Sequence, residues 1–186
     1  MTEIFLETER LRLEPWAPEH LDGLNLMSAD PLVMRYVGSV TRTREETAAA
    51  IERHRGRWIT HGFGWWSFLE RATGELIGAG CIQHVAGEPA NPLEIGWRLR
   101  PDHWGLGFAT EAAVAMGTFA FDRLGIELLL AVAVPENTAS RRVMERLGMR
   151  YRGLERWYDM EVATYAIIAA EWGEQLASKV SANRAR

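Results

Sequence analysis

Leu99-Arg100-Pro101-Asp102-His103-Trp104-Gly105-Leu106-Gly107-Phe108-Ala109-Thr110-Glu111-Ala112 joins a predicted strand to a predicted helix through two glycines. Leu93 to Leu99 reads as the strand, and Gly107 to Leu124 is apolar on nearly every face, as a helix packed under a sheet should be. A helix start presents several backbone N–H groups without internal partners, together with the positive end of the helix dipole. Glycine lets main chain approach a bulky anion because no Cβ intervenes. Together these features make a pyrophosphate cradle. A turn that uses glycine only for its dihedral freedom is the competing reading of an isolated Gly-x-Gly. A Rossmann dinucleotide site is disfavoured, because Thr110 stands where the third glycine would. A nucleotide P-loop is excluded, because no Gly-Lys-Ser/Thr is present.

Outward from this segment the chain alternates between strand and helix patterns. Arg10 to Glu14 alternates polar and apolar residues and opens the domain as a strand. Pro18 starts a helix carrying Leu21, Leu24 and Met27 at helical spacing. Thr43-Arg44-Glu45-Glu46 has the form of a capping box and begins a second helix that reaches Ile59. Trp66 to Glu70 and Leu76 to Val85 are strands joined by the turn Ala72-Thr73-Gly74-Glu75. Beyond the cradle, Leu128 to Val134 is a continuous apolar strand with both faces covered. Asn137 to Leu147 is a helix closed by Gly148, and Met149 to Trp157 and Met160 to Ile168 are two closing strands. The order predicts a mixed α/β (α+β) fold in one domain, residues 1–177, with a flexible tail at 178–186.

Composition excludes several classes. The net charge of −4 comes from interspersed signs with no basic stripe, so nucleic acid is not the expected partner. Cys81 is the only cysteine, which rules out an intramolecular disulfide and suits a reducing cytoplasm. The first residues carry acids where a signal peptide would carry bases. The apolar run Ala112 to Phe121 is about half the length a membrane span needs. The five histidines show no compact ligand spacing, so no metal is expected. The expectation is a soluble cytoplasmic protein with no membrane partner.

On Leu99, Pro101, Gly105, Gly107 and Ala109 the cradle resembles the acetyl-CoA signature of the GNAT superfamily of N-acetyltransferases. Trp104 replaces that signature's usual Gln or Arg, and Trp-Gly-x-Gly-aromatic-Ala-Thr-Glu-Ala is similar to the ribosomal-protein-alanine N-acetyltransferase branch. A second motif, Asn137 to Met149, resembles the family's Asn-x-x-Ser/Ala…Glu-Arg-Leu-Gly-Met helix in register with the first. The resemblance implies a mostly antiparallel twisted sheet flanked by helices, with a splayed central strand pair. It implies acetyl-CoA as co-substrate, with its pyrophosphate on backbone N–H groups of Gly105, Leu106, Gly107, Phe108, Ala109 and Thr110, beside Trp104. It also implies that the pantetheine arm pairs with main chain of Trp97 and Leu99 and with the Asn137 amide. The acceptor it implies is a primary amine, either a small molecule or a protein N-terminus. A homodimer is open, and a catalytically weak acyl-CoA-binding or sensing domain is the alternative.

Individual residues carry competing readings. Asn137 is an N-cap by position and a pantetheine ligand by resemblance. Ser140 and Met144 share a helix face. Many relatives have a tyrosine in place of Met144 that protonates the departing thiolate, which methionine cannot do. Ser140 then becomes the candidate acid, against water. Glu94 is the candidate base by resemblance, with His84, Glu70 and Asp159 behind it; the alternation of its strand predicts a solvated face instead. Trp65, Trp66 and Trp157 are candidates for an acceptor pocket against a default of core packing, and Cys81 reads as a small buried hydrophobe.

Overall fold

The computed structural model describes residues 5–38 and 40–175. Its mixed α/β architecture is an eight-stranded, mostly antiparallel sheet in the order β1-β2-β3-β4-β5-β6-β8-β7, flanked by helices. The strands are β1 (Leu6–Glu7), β2 (Leu11–Pro15), β3 (Trp65–Glu70), β4 (Leu76–His84), β5 (Leu93–Leu99), β6 (Leu128–Ala133), β7 (Arg150–Trp157) and β8 (Met160–Ile168). The helices are α1 (Leu21–Ser28), α2 (Pro31–Met34), α3 (Arg44–His61), α4 (Phe108–Leu124) and α5 (Thr138–Arg146). Residues 169–175 are also helical. Two compact units divide the chain: one ends at Gln83 and includes Gly96–Met116, the other comprises His84–Ile95 and the chain from Gly117 onward. No helix among the described residues is long and apolar enough to cross a membrane.

In the first unit, β2 pairs with β3 and β3 with β4, all antiparallel. Leu11 and Leu13 point one way from β2 and are fully buried, while Arg12 between them is exposed, as the two-residue period requires. The helical layer closes over Trp16, Leu24, Met27, Val33, Ala50, Ile51 and Ala79. The predicted capping box of α3 is present: the Thr43 hydroxyl accepts from Glu46 N–H at 3.2 Å, and the Glu46 carboxylate accepts from Thr43 N–H at 2.8 Å. Gly78 and Gly80 bring other groups close to β4. A Cβ on Gly80 would lie 2.5 Å from Phe68, 2.7 Å from Gly96 O and 2.7 Å from Met116 of α4. Gly80 thus lets Met116 of α4 approach the sheet closely.

In the second unit, β6 lies between β5 and β8. Its parallel pairing with β5 covers Leu93↔Leu129 and Glu94↔Leu130, whereas its antiparallel pairing with β8 runs the whole strand, Leu128↔Ile168 to Ala133↔Ala163. Trp172 seals this unit. Its ring packs where a Cβ on Gly117 would stand, at 2.5 Å, and its indole N–H donates to the Thr118 hydroxyl at 3.4 Å.

Compared with the sequence reading, β1, the short helix α2 and the helical residues 169–175 are additions. β1 is two residues long and α2 four, too short for any periodicity to show. The predicted tail at 178–186 lies outside the described residues.

Candidate active site

The cradle belongs to the first unit and begins where β5 leaves the sheet. Arg100 N–H still donates to Ile77 O at 2.9 Å, and residues Pro101–His103 then make one 3-10 turn. The Arg100 guanidinium donates to Asp102 at 2.7 and 3.2 Å and to Glu75 at 3.0 Å, tying that turn to the residue just before β4. The hydrogen bond with His103, with further help from Arg100, outweighs desolvation and holds the Asp102 carboxyl below its ordinary value. The Trp104 indole N–H reaches back to Leu99 O at 2.9 Å and leaves the ring 49% exposed.

Gly105 has φ 75° and Gly107 φ 87°, both in the left-handed region that side chains resist. No atom lies within 4 Å of where a Gly105 Cβ would be, so its main chain borders open space. The first bond of the α4 ladder is Glu111 N–H to Gly107 O at 3.1 Å. The N–H groups of residues 108–110 therefore precede the ladder and face outward with the positive end of the helix. The two readings of the glycines are compatible: each takes a left-handed turn, and the turns lead into the unladdered N–H groups at the start of α4.

A brace under this mouth was not foreseen. The Arg10 guanidinium donates to Glu111 at 2.7 Å and to Leu106 O at 3.0 Å, and its carbon lies 4.2 Å above the Phe108 ring. Glu111 also accepts from Arg10 N–H at 2.8 Å and from the Thr8 hydroxyl at 2.6 Å. Burial would raise the Glu111 pKa, but these donors outweigh it and hold the carboxyl below its ordinary value. In sequence Glu111 appears only within the Ala-Thr-Glu-Ala end of the cradle motif. Nothing local links it to a partner 101 residues earlier.

The second unit carries the other candidates. Glu94 lies in the paired part of β5 and is 5% exposed; Leu93 and Ile95 beside it are buried too. The expected solvated face is thus corrected, because both faces of β5 are covered there. The Tyr158 hydroxyl donates to Glu94 Oε1. Tyr158 and Asp159 make the two-residue turn between β7 and β8, with φ 55° and 59°. Paired positive values suit Asn-Gly far better than Tyr-Asp, so the side chain on Glu94 is delivered by a strained turn. The two closing strands are legible in the sequence, but nothing local points from Tyr158 to Glu94.

The lesser candidates are elsewhere engaged or exposed. His84 Nδ1 lies 2.7 Å from Asn91 O, Glu70 accepts from Thr73 at 2.9 Å in the first unit, and Asp159 is exposed. In α5 the Asn137 side-chain oxygen accepts from Ser140 N–H at 3.2 Å, so the N-cap reading holds and the amide NH₂ is left for another acceptor. Ser140 is partly exposed and Met144 is 2% exposed. Arg141 donates to the buried Tyr165 hydroxyl at 3.2 Å, which donates to Glu145 at 3.2 Å, so α5 is held on β8. Of the tryptophans, Trp66 is core, while Trp65 and Trp157 are partly exposed; Cys81 is 2% exposed.

Left-handed glycines thus open α4 after β5, as the resemblance to N-acetyltransferases implies, and comparison with known proteins points to the same class. The family model of an acetyltransferase (GNAT) domain matches residues 10–150, so the chain belongs to the GNAT acetyltransferase family. It is 27% identical over 175 residues to the uncharacterized N-acetyltransferase YnaD of Bacillus subtilis, covering 90% of this chain and 98% of that one. It is 32% identical over 159 residues to the FsC-acetyl coenzyme A-N(2)-transacetylase of Aspergillus fumigatus, covering 78% of this chain and 65% of that one. The crystal structure of an acetyltransferase from Agrobacterium tumefaciens superposes with a TM-score of 0.77 at 30% identity, over 90% of this chain and 95% of that one.

Proposed function

We propose that the protein transfers an acetyl group from acetyl-CoA to a primary amine by direct attack, without a covalent acetyl-enzyme. The observation that carries the reading is the cradle: left-handed glycines at 105 and 107 opening α4, with N–H groups ahead of the ladder. Gly105, Leu106, Gly107, Phe108, Ala109 and Thr110 hold the pyrophosphate through main chain, and Trp104 flanks them. The main chain of Trp97 and Leu99 and the amide NH₂ of Asn137 hold the pantetheine arm. The Leu99 carbonyl already accepts from Trp104 and has a second lone pair to offer. Acetyl-CoA supplies a thioester carbonyl for attack.

Glu94 takes the proton that the amine must lose, directly or through water, and Tyr158 fixes the orientation of its carboxylate. A backbone N–H near Leu99 steadies the thioester oxygen. Ser140 returns a proton to the thiolate, since Met144 has none to give. The test is a melting titration with acetyl-CoA, CoA and NADH side by side. Ligand at about 100 times its dissociation constant adds roughly 2.7 kcal/mol. A rise with acetyl-CoA and CoA but not NADH is expected; no rise with either thioester or thiol rejects the cradle. Ping-pong kinetics would reject direct attack.

A further inference from the structure

Arg98 stands on β5 between Trp97 and Leu99 and is 6% exposed. Its guanidinium donates to Met34 Sδ at 3.1 Å and to the Ser28 hydroxyl at 3.2 Å, both neutral groups. No carboxylate pairs with it among the described residues. A buried cation without a counter-ion is costly, and burial, followed by the charge of Arg42, lowers its pKa to about 10.

The surroundings are aromatic and basic. The Arg98 guanidinium carbon lies 5.8 Å from the Trp16 ring and 5.7 Å from the Trp65 ring. His54 stands 4.9 Å from Trp16 and 5.7 Å from Trp65, ring centre to ring centre. Three buried polar atoms of this one cluster have no hydrogen-bond partner among the described residues: Arg98 Nε, Trp16 Nε1 and His54 Nδ1. The first two can only donate. After burial, Arg57, Arg53, Arg42 and Arg98 each disfavour a proton on His54, so the local field is positive in a chain of net charge −4. His54 and Trp65 are partly exposed and give the cluster an edge toward solvent.

Unspent donors in a positive field, with aromatic walls, are the chemistry of a site for a planar anion. A guanidinium fork matches a carboxylate, and the Trp16 and Trp65 faces suit the carbon skeleton attached to it. We propose that Arg98, Trp16 and His54 receive a carboxylate of the acceptor, so the amine that is acetylated also bears a carboxylate, as a free amino acid does. The anion site stands on the geometry alone. Its assignment to the acceptor rests on the acetyl-transfer reading, in which the main chain on either side of Arg98 lies along the pantetheine arm.

The full-length protein and its Arg98→Met variant are titrated with sodium acetate, and with acetamide as the neutral isostere, while tryptophan fluorescence is followed. Saturable quenching by acetate, none by acetamide and loss of the response in the variant are expected. An equal response to acetamide, or none to acetate, overturns the site. The variant should melt no lower than the parent, because it loses an uncompensated buried charge. A fall of several degrees would mark Arg98 as structural and overturn the proposal. In a second arm, thiol release from acetyl-CoA is measured with the free amino acids and with their carboxamides. The acids should exceed the amides by about tenfold or more in kcat/KM, as loss of one partner of a buried charged pair predicts. Equal rates, or no turnover of any amino acid, overturn the acceptor assignment. An acetyl-CoA melting titration of the parent protein reports separately on acetyl transfer, so failure of that reading is distinguishable from failure of the anion site.

Discussion

Glu94 shows how one side chain can be identified by sequence and still be misjudged in its setting. The strand pattern placed it on a wet face, yet it is buried and bonded to Tyr158. A carboxylate held this way is pre-aimed, which is what proton transfer requires. Replacing Glu94 by Gln should lower kcat on the order of 10²-fold or more, with partial recovery at high pH, where more of the amine is already neutral. A kcat unchanged across the profile would remove Glu94 from the base role. Tyr158→Phe leaves the carboxylate present and loosens its aim. It should reduce kcat while KM for acetyl-CoA stays put; a change in KM alone would assign Tyr158 to binding instead. Tyr158 escaped notice because its turn is strained and its partner lies 64 residues away in sequence.

At the scale of elements, local rules were sufficient wherever the structure obeys them. The Thr43–Glu46 box and the β3–β4 turn follow from capping and turn chemistry, and both were legible. Thr43→Ala should therefore cost about 1 kcal/mol, measured by denaturant melting, and should leave acetyl-CoA affinity alone. Gly80 was not legible, because its role is spatial. A methyl there meets Phe68, Gly96 O and Met116 within 2.7 Å, so Gly80→Ala should destabilise by about 1–3 kcal/mol. Unlike the Thr43 change, it should also weaken acetyl-CoA binding, since it lifts the helix that carries the cradle. Equal binding in the two variants would disprove that link. The same distinction separates what was visible at the site from what was not. Gly105, Gly107, Asn137 and Ser140 sit in short motifs. The Arg10–Glu111–Thr8 brace and the Arg98 cluster arise from contacts between segments far apart in the chain, and no local pattern encodes them.

For the molecule as a whole, two partly buried titrating groups predict two overlapping acid limbs in stability. Burial, reinforced by Arg57, Arg53, Arg42 and Arg98, lowers His54 from 6.5 to about 3. The unfolded chain binds a proton there below 6.5 while the folded protein refuses it until about 3. Stability therefore falls with pH across that interval, by at most about 1.4 kcal/mol per pH unit. Glu111 behaves as an ordinary paired carboxylate. Desolvation opposes it, but Thr8 and Arg10 keep it ionised below 4.5, so its contribution is present above that value and is lost as pH falls further. Melting curves from pH 8 to pH 3 should then fall from about 6.5 downward, and more steeply below 4.5, where the loss at Glu111 adds to that at His54. His54→Phe, which keeps a ring against Trp16 and Trp65, should flatten the stage between 6.5 and 4.5. Glu111→Gln should lower stability at neutral pH and flatten only the stage below 4.5. If His54→Phe left the upper stage intact, the imidazole would be taking up its proton in the folded state, and the positive field assigned to that cluster would be wrong.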